Sequence, residues 1–267
     1  VLTTARRALT VVLSEFLHAQ IPSILHQLKS YMIPIGPGAH LLAGVDHIRI
    51  DWQALIPQVT PILVRVAQDG AQQAIAQIRR YRARKAEQPL DAITTLANTR
   101  AEDWAEARAA EMVGMKIVAG HLMQNPDPKW AITESTRDAI RELVQEAIDE
   151  GWSNDTLAER LDLSEAFGSH RSEMIARTET AKADVQGNLE GYKTMGVEQK
   201  ESILSDLHDD ADTCDCPDNA DAGPIPIDDE FPSGDDGPPY HPNCECDVLP
   251  VLDDEADVAD RSEESLV

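Results

Sequence analysis

Apolar residues recur every three or four positions through most of the first 200 residues, the spacing that lines one face of a helix. Leu9, Val12, Leu13, Phe16 and Leu17 set this rhythm in the opening segment, Val1 to Tyr31, where Pro22 is expected to end or kink the helix. The stretch IPIGPGAHLLAG, Ile33 to Gly44, carries the Pro and Gly punctuation of a loop at which a helical hairpin could turn. A second run, Val59 to Arg84, places Ile62, Leu63, Val66, Ala74, Ile75 and Ile78 on one face. A third follows Pro89, with Trp104, Ala107, Arg108, Glu111 and Met112 at helical spacing, and leads to Gly114 and Gly120. It ends at Asn125-Pro126-Asp127-Pro128, read as a domain boundary or hinge.

Beyond that break, Thr133 and Ser135 can cap a helix carrying Ile140, Leu143, Val144, Ala147 and Ile148, with Gly151 as its stop. Ser153 caps a shorter helix with Leu157, Ala158 and Leu161. The pair could suggest a DNA-binding helix-turn-helix, but its second helix would present Asp155 and Glu159 to phosphates, so simple packing is the better reading. A long helix runs from Ser169 through Met174, Ile175, Thr178, Ala181, Val185, Leu189 and Tyr192 to a stop at Gly196.

The pattern then fades. Glu201 to Leu207 can form a short strand, residues 206–250 are rich in Asp, Gly, Pro and Cys, and 253–267 reads as an acidic disordered tail. The expected fold is mainly α: an N-terminal helical region, 1–128, then an α-helical domain, 129–250, with a small β and loop cysteine-rich C-terminal segment, and an acidic tail, 251–267. Composition agrees, with 42% apolar residues but only 4% aromatic, which favours packed Ala- and Leu-rich helices over a sheet sandwich. No uninterrupted apolar run approaches the roughly 18 residues of a membrane span, so no membrane partner is expected.

The net charge of −25 is uneven: +5 over residues 1–100, −9 over 101–200 and −21 over 201–267. Phosphates would repel the acidic end, so any nucleic-acid contact belongs to the N-terminal third. There the run Arg79, Arg80, Arg82, Arg84 and Lys85 closes a helix, where cations suit the negative end of the dipole. A solvated helix end is favoured over a contact of these residues with DNA or a partner protein.

All four cysteines fall in the core-poor segment, as Cys214 and Cys216 in TCDC and Cys244 and Cys246 in HPNCEC, with His241 beside the second pair. Two sulfur pairs separated by a loop suit a tetrahedral metal, for which zinc is the default, with four thiolates or three thiolates and an imidazole as ligands. Disulfides between the pairs and free thiols remain alternatives, and the neighbouring Asp212, Asp215, Asp218 and Glu245 oppose thiolate formation. Without such a staple the segment should not hold one shape. Arg177, Thr178 and Glu179 form a polar triplet in an amphipathic helix, read as ion pairs orienting that helix against the cysteine segment, not as catalytic groups.

Four stretches carry a resemblance: ITESTRDAIRELVQEAIDEGWS, then RSEMIARTETAKADVQGNLEGYKTMGV from Arg171 to Val197, then DDADTCDC, then PYHPNCECDVLPV. From Trp130 to Pro250 the chain resembles the Mu F-like, or phage head morphogenesis, domain of tailed phages. It departs where the family shows CxxC, having CxC at Cys214 and Cys216, and where the family shows HPNCRC, having Glu245. The resemblance implies a non-enzymatic minor head protein, present in few copies near the portal vertex of the virion and in the host cytoplasm during assembly. It implies the portal protein and other capsid or scaffold proteins as partners, with packaged DNA reached through the N-terminal region. A metal-dependent hydrolase and a DNA-binding module are the other classes considered. A hydrolase would need an open metal position and a general base, and no nucleophile elbow, phosphate loop or HExxH motif is present.

Overall fold

The computed structural model describes residues 1–31, 45–82, 90–206 and 214–252. Of the described residues 63% are helical. The helices are α1 (Leu2–Tyr31), α2 (Ile56–Tyr81), α3 (Leu90–Glu111), α4 (Ile132–Glu150), α5 (Asn154–Asp162), α6 (Ser169–Thr194) and α7 (Cys216–Asp221). A 3-10 turn, Trp52–Leu55, precedes α2. Among the described residues five short strands complete the order: β1 (Met115–Val118), β2 (His121–Gln124), β3 (Gln199–Ile203), β4 (Ile225–Pro226) and β5 (Asp247–Val251). The Ile33–Gly44 loop, Arg84, Lys85 and the acidic tail of the sequence reading lie outside the described residues. Contacts divide the chain into two compact units, one of residues 1–66 and 102–180, the other of 67–101 and 181 onward. Thus α2, α3 and α6 each give one stretch to each unit.

In the first unit α1 packs against α5, and α5 against α4. Pro22 neither ends nor interrupts α1. An interior proline costs about 3 kcal/mol, but Leu17 and Ile21 before it and Ile24 and Leu28 after it are all buried. At roughly 1.5–3 kcal/mol for each such side chain, packing on both sides outweighs the lost bond. Leu2–Lys29 is, among the described residues, the one helix long and apolar enough to cross a membrane, by length and composition, at a mean hydropathy of 1.4, and a third of that apolar window is buried within the protein.

Two departures follow α3. The Gly114–Gln124 stretch, expected as a helix end, turns as a hairpin in which β1 pairs antiparallel with β2, Ile117 facing Leu122. Ala119 and Gly120 both have positive φ, 49° and 77°, as a tight type I′ connection requires. Ile117, Val118, Leu122 and Met123 remain exposed. Nor do Thr133 and Ser135 cap α4: its cap position is Ala131, and the Ile132 N–H donates to Met112 O at 2.9 Å instead. Downstream, Gly151 closes α4 in the left-handed region, φ 68°, and Ser153 Oγ accepts from the Thr156 N–H at 3.1 Å to open α5, as the sequence indicated.

In the second unit, the later halves of α2 and α6 cross closely. A methyl group at Gly187 would lie 2.0 Å from Ala67 O, and one at Gly191 2.6 Å from Ala74 Cβ. Beside this crossing β3 forms the centre of an antiparallel sheet, order β4-β3-β5. Strand β3 ends at Ile203, short of Leu207. The segment after it is richer in core than its composition suggested: Ile227, Phe231, Tyr240 and Val248 bury themselves with Val185, Leu189 and Tyr192 of α6. These four residues obey no helical or strand period, so no pattern in the chain announces them.

Candidate metal centre

The cluster rests on two local turns. Cys216 is the first residue of α7, which Pro217 helps to start, and Cys214 stands just before it. The other side is the turn His241-Pro242-Asn243-Cys244, closed by the Cys244 N–H donating to His241 O at 3.1 Å with Asn243 at φ 62°. Strand β5 begins directly after Cys246 and pairs with β3 from Asp247 opposite Ile203 to Val251 opposite Gln199. Tyr240 ties the turn to the same sheet, its hydroxyl donating to Ser202 Oγ at 2.9 Å. Phe231 meets Tyr240 edge-on, ring centroids 6.1 Å apart.

These elements bring together all five residues that the sequence singled out. Ligand atoms of Cys214, Cys216 and His241 lie within 4.8 Å of one another, and so do those of Cys216, Cys244 and Cys246. Cys216, fully buried, belongs to both groups. Its sulfur is 3.7 Å from that of Cys244, and all four cysteines are free thiols. Zinc–sulfur bonds of about 2.3 Å in a tetrahedron put sulfurs roughly 3.8 Å apart, so this separation fits one edge of such a site. His241 Nδ1 is 2.9 Å from Pro242 O. With the proton on Nδ1 it donates there and leaves the other ring nitrogen a lone pair, the arrangement ligating histidines adopt.

The thiols share protons. The Cys246 sulfhydryl hydrogen-bonds to Cys244 and holds its thiol down to about 5, while donating in this way pushes Cys246 far above the usual thiol range. Burial pushes Cys216 up as well. Sulfurs this close favour loss of a proton at Cys244 first, and a soft cation can bind the cluster by displacing the protons of the other thiols. The Cys/His cluster therefore has the chemistry to hold a metal.

The polar triplet of α6 finds a different partner from the one expected. Glu179 faces Arg108 of α3, whose Nε and Nη2 donate to its two oxygens at 2.7 and 2.6 Å, with both side chains almost fully buried. Burial alone would lower the Arg108 pKa, but the Glu179 carboxylate outweighs it and the net direction is upward. Arg108 Nη1 also donates to Glu111 and to Lys129 O. A fork of this kind matches the planar guanidinium to a carboxylate. Thr178 Oγ1 donates to Met174 O. Arg171 bonds to Thr136, Ser135 and Ala166 O, not along its own helix.

Of the basic run, Arg79 and Arg80 occupy the last turn of α2, where Arg80 is exposed. Arg82 donates to Met195 O at 2.6 Å, just past the end of α6, and so has a structural duty that the sequence did not reveal.

Comparison with known proteins gives one finding. Residues 138–249 match the family model described as Phage Mu protein F like protein. The match begins within α4 and includes α5, α6 and every cysteine. No curated protein and no solved structure matches the chain. The resemblance read from the helices and the HPNCEC turn is thus met by the family model, and residues 138–249 are similar to the Phage Mu protein F like family.

Proposed function

We propose that this chain is a minor head protein that joins the procapsid beside the portal, without catalytic activity, and that its Cys/His cluster holds a structural zinc. The match over residues 138–249 carries this reading, because it contains all five residues of the metal cluster together with α6 and α7, which pack in its core. A phage head protein works among other head proteins, and the helices ahead of the matched region supply an attachment segment toward the portal. Zinc with sulfur and imidazole ligands in a buried, sheet-anchored cluster would cross-link two turns 28 residues apart in sequence. Such a closed site offers no coordination position for a reacting water. For a contact with the portal or the packaged DNA, in place of the solvated helix end favoured from the sequence, the run offers Arg79 and Arg80, with Arg84 and Lys85 beyond the described residues, while Arg82 is held by Met195 O.

Two experiments test the reading. Heads disassembled after purification should release this chain in complex with the portal, and Arg79→Glu/Arg80→Glu/Arg84→Glu should lower its incorporation while the protein stays folded. Release with the major capsid lattice, free of the portal, would sink the placement. Elemental analysis of the purified chain should find close to one zinc per chain, and Cys244→Ser should lower that content and loosen β5 while α1 to α5 persist. Metal-free protein with a bridged Cys216–Cys244 pair would instead support a disulfide.

A further inference from the structure

Helix α4 carries Glu142, Glu146 and Glu150 at four-residue intervals, a line of like charge about 12 Å long at 1.5 Å per residue. No Lys or Arg stands three or four positions from Glu142 or Glu146 on this helix, and Asp138 and Asp149 extend the acid. Like charges at this spacing destabilise a helix by a few tenths of a kcal/mol per pair. On one side of the line lies a groove of about 840 Å³ between α4, the start of α6 and the loop before it. Its floor is apolar, formed by Ala139, Leu143, Ala166 and Met174, and Glu142, Glu146 and Glu165 stand on its rim. On the other side a second hollow, about 790 Å³, shares Glu142 and Glu146 and adds Asp149 and Glu150.

Arg171 also lines the groove and keeps its charge, since its partners Thr136, Ser135 and Ala166 O are neutral, but it sets one cation against the three carboxylates of Glu142, Glu146 and Glu165. Arg141 is paired with Asp138 and Asp46. An apolar trough with an acidic rim matches a helix with the reverse arrangement.

We infer that this groove seats a cationic amphipathic helix of a partner protein. Its Leu- or Met-type side chains would fill the floor over Leu143 and Met174, and Lys or Arg at four-residue intervals would run along the Glu142–Glu146–Glu150 line. The inference concerns the partner's chemistry and depends on neither the zinc nor the portal placement.

The full chain is titrated into two fluorescent helical peptides of about 18 residues, one of Leu and Lys, the other of Leu and Glu, with the same apolar face. The Leu/Lys peptide should bind, and Glu142→Lys/Glu146→Lys/Glu165→Lys should weaken it about tenfold or more. Leu143→Gln should weaken it too. The control Glu102→Lys/Asp103→Lys/Glu106→Lys changes the net charge equally on exposed positions of α3, and should leave the affinity within about twofold. Should the charge reversals disturb folding, Glu142→Gln/Glu146→Gln/Glu165→Gln keeps the side-chain size and must still lose affinity. Equal losses in the groove and control triples would show only the diffuse field of an acidic chain and overturn the inference. So would a Leu/Lys peptide that fails to bind, or a Leu/Glu peptide that binds as well.

Discussion

Burying both halves of an ion pair strips water from two charges, and Arg108 with Glu179 meets that cost through a two-pronged bond plus further acceptors at Glu111 and Lys129 O. Removing one half is therefore worse than removing both. Glu179→Gln or Arg108→Met should lower stability by about 3–5 kcal/mol, whereas Arg108→Met with Glu179→Leu should recover much of it. A double-mutant cycle in urea measures this, and additive losses would show the two groups to be independent. Asp184 presents the opposite case. Burial, reinforced by Asp247 and Asp69, raises its carboxyl from 3.8 to about 6. A raised carboxyl pKa means the folded state holds its proton more tightly, so Asp184 favours folding at low pH and loses that contribution as pH climbs from about 4 to about 6. Asp184→Asn should thus raise stability near neutral pH by about 1 kcal/mol, discounted for residual solvation, and change it little near pH 4. An equal change at both pH values would detach the effect from ionisation. Glu179 was legible in the sequence as a polar intrusion on an apolar helix, but its partner 71 residues away was not, because pairing across helices leaves no local signature.

At the scale of elements, the close crossing of α2 and α6 depends on missing side chains. Replacing glycine by alanine inside a helix gains up to about 1 kcal/mol of helix propensity. At Gly187 the new methyl group would sit 2.0 Å from a backbone oxygen of Ala67, which cannot yield unless the two helices separate. Overpacking costs about 1–3 kcal/mol, so the clash prevails. Gly187→Ala should lower the thermal midpoint, and a rise would mean the helices do not approach so closely. The long helices were visible in the chain through their period, even where Pro22 and Pro61 interrupt the usual rules. The hairpin was not, because MKIVAGHLMQ shows no apolar–polar alternation and leaves both faces exposed. The cysteine centre lies between these cases. The CxC pairs marked the participants, while the fold around them depends on Phe231 and Tyr240, two aromatic residues at no regular interval.

Across the whole molecule, 48 acidic residues against 23 basic ones repel one another wherever water does not screen them. Surface pairs such as Arg141–Asp46, Arg100–Glu190 and Lys193–Asp228 offset little of this, since exposed bridges are worth at most about 1 kcal/mol each. Raising salt from about 10 mM to about 500 mM shortens the Debye length from about 30 Å to a few Å. The thermal midpoint should then rise, and a fall would show that the attractive pairs dominate. The polarity of charge along the chain was plain from composition. The two compact units were not, since each is assembled from stretches far apart in sequence.

Lys200 adds one consequence. Its side chain is fully enclosed, the amine donating to Asp236 O at 2.8 Å and lying 5.3 Å from the centre of the Phe231 ring. An acylating reagent should reach exposed lysines such as Lys116 at once, but Lys200 only when the segment carrying Phe231 and Asp236 opens away from β3. Its labelling half-life would therefore time the opening of the segment that covers it, beside the cysteines, without a mutation.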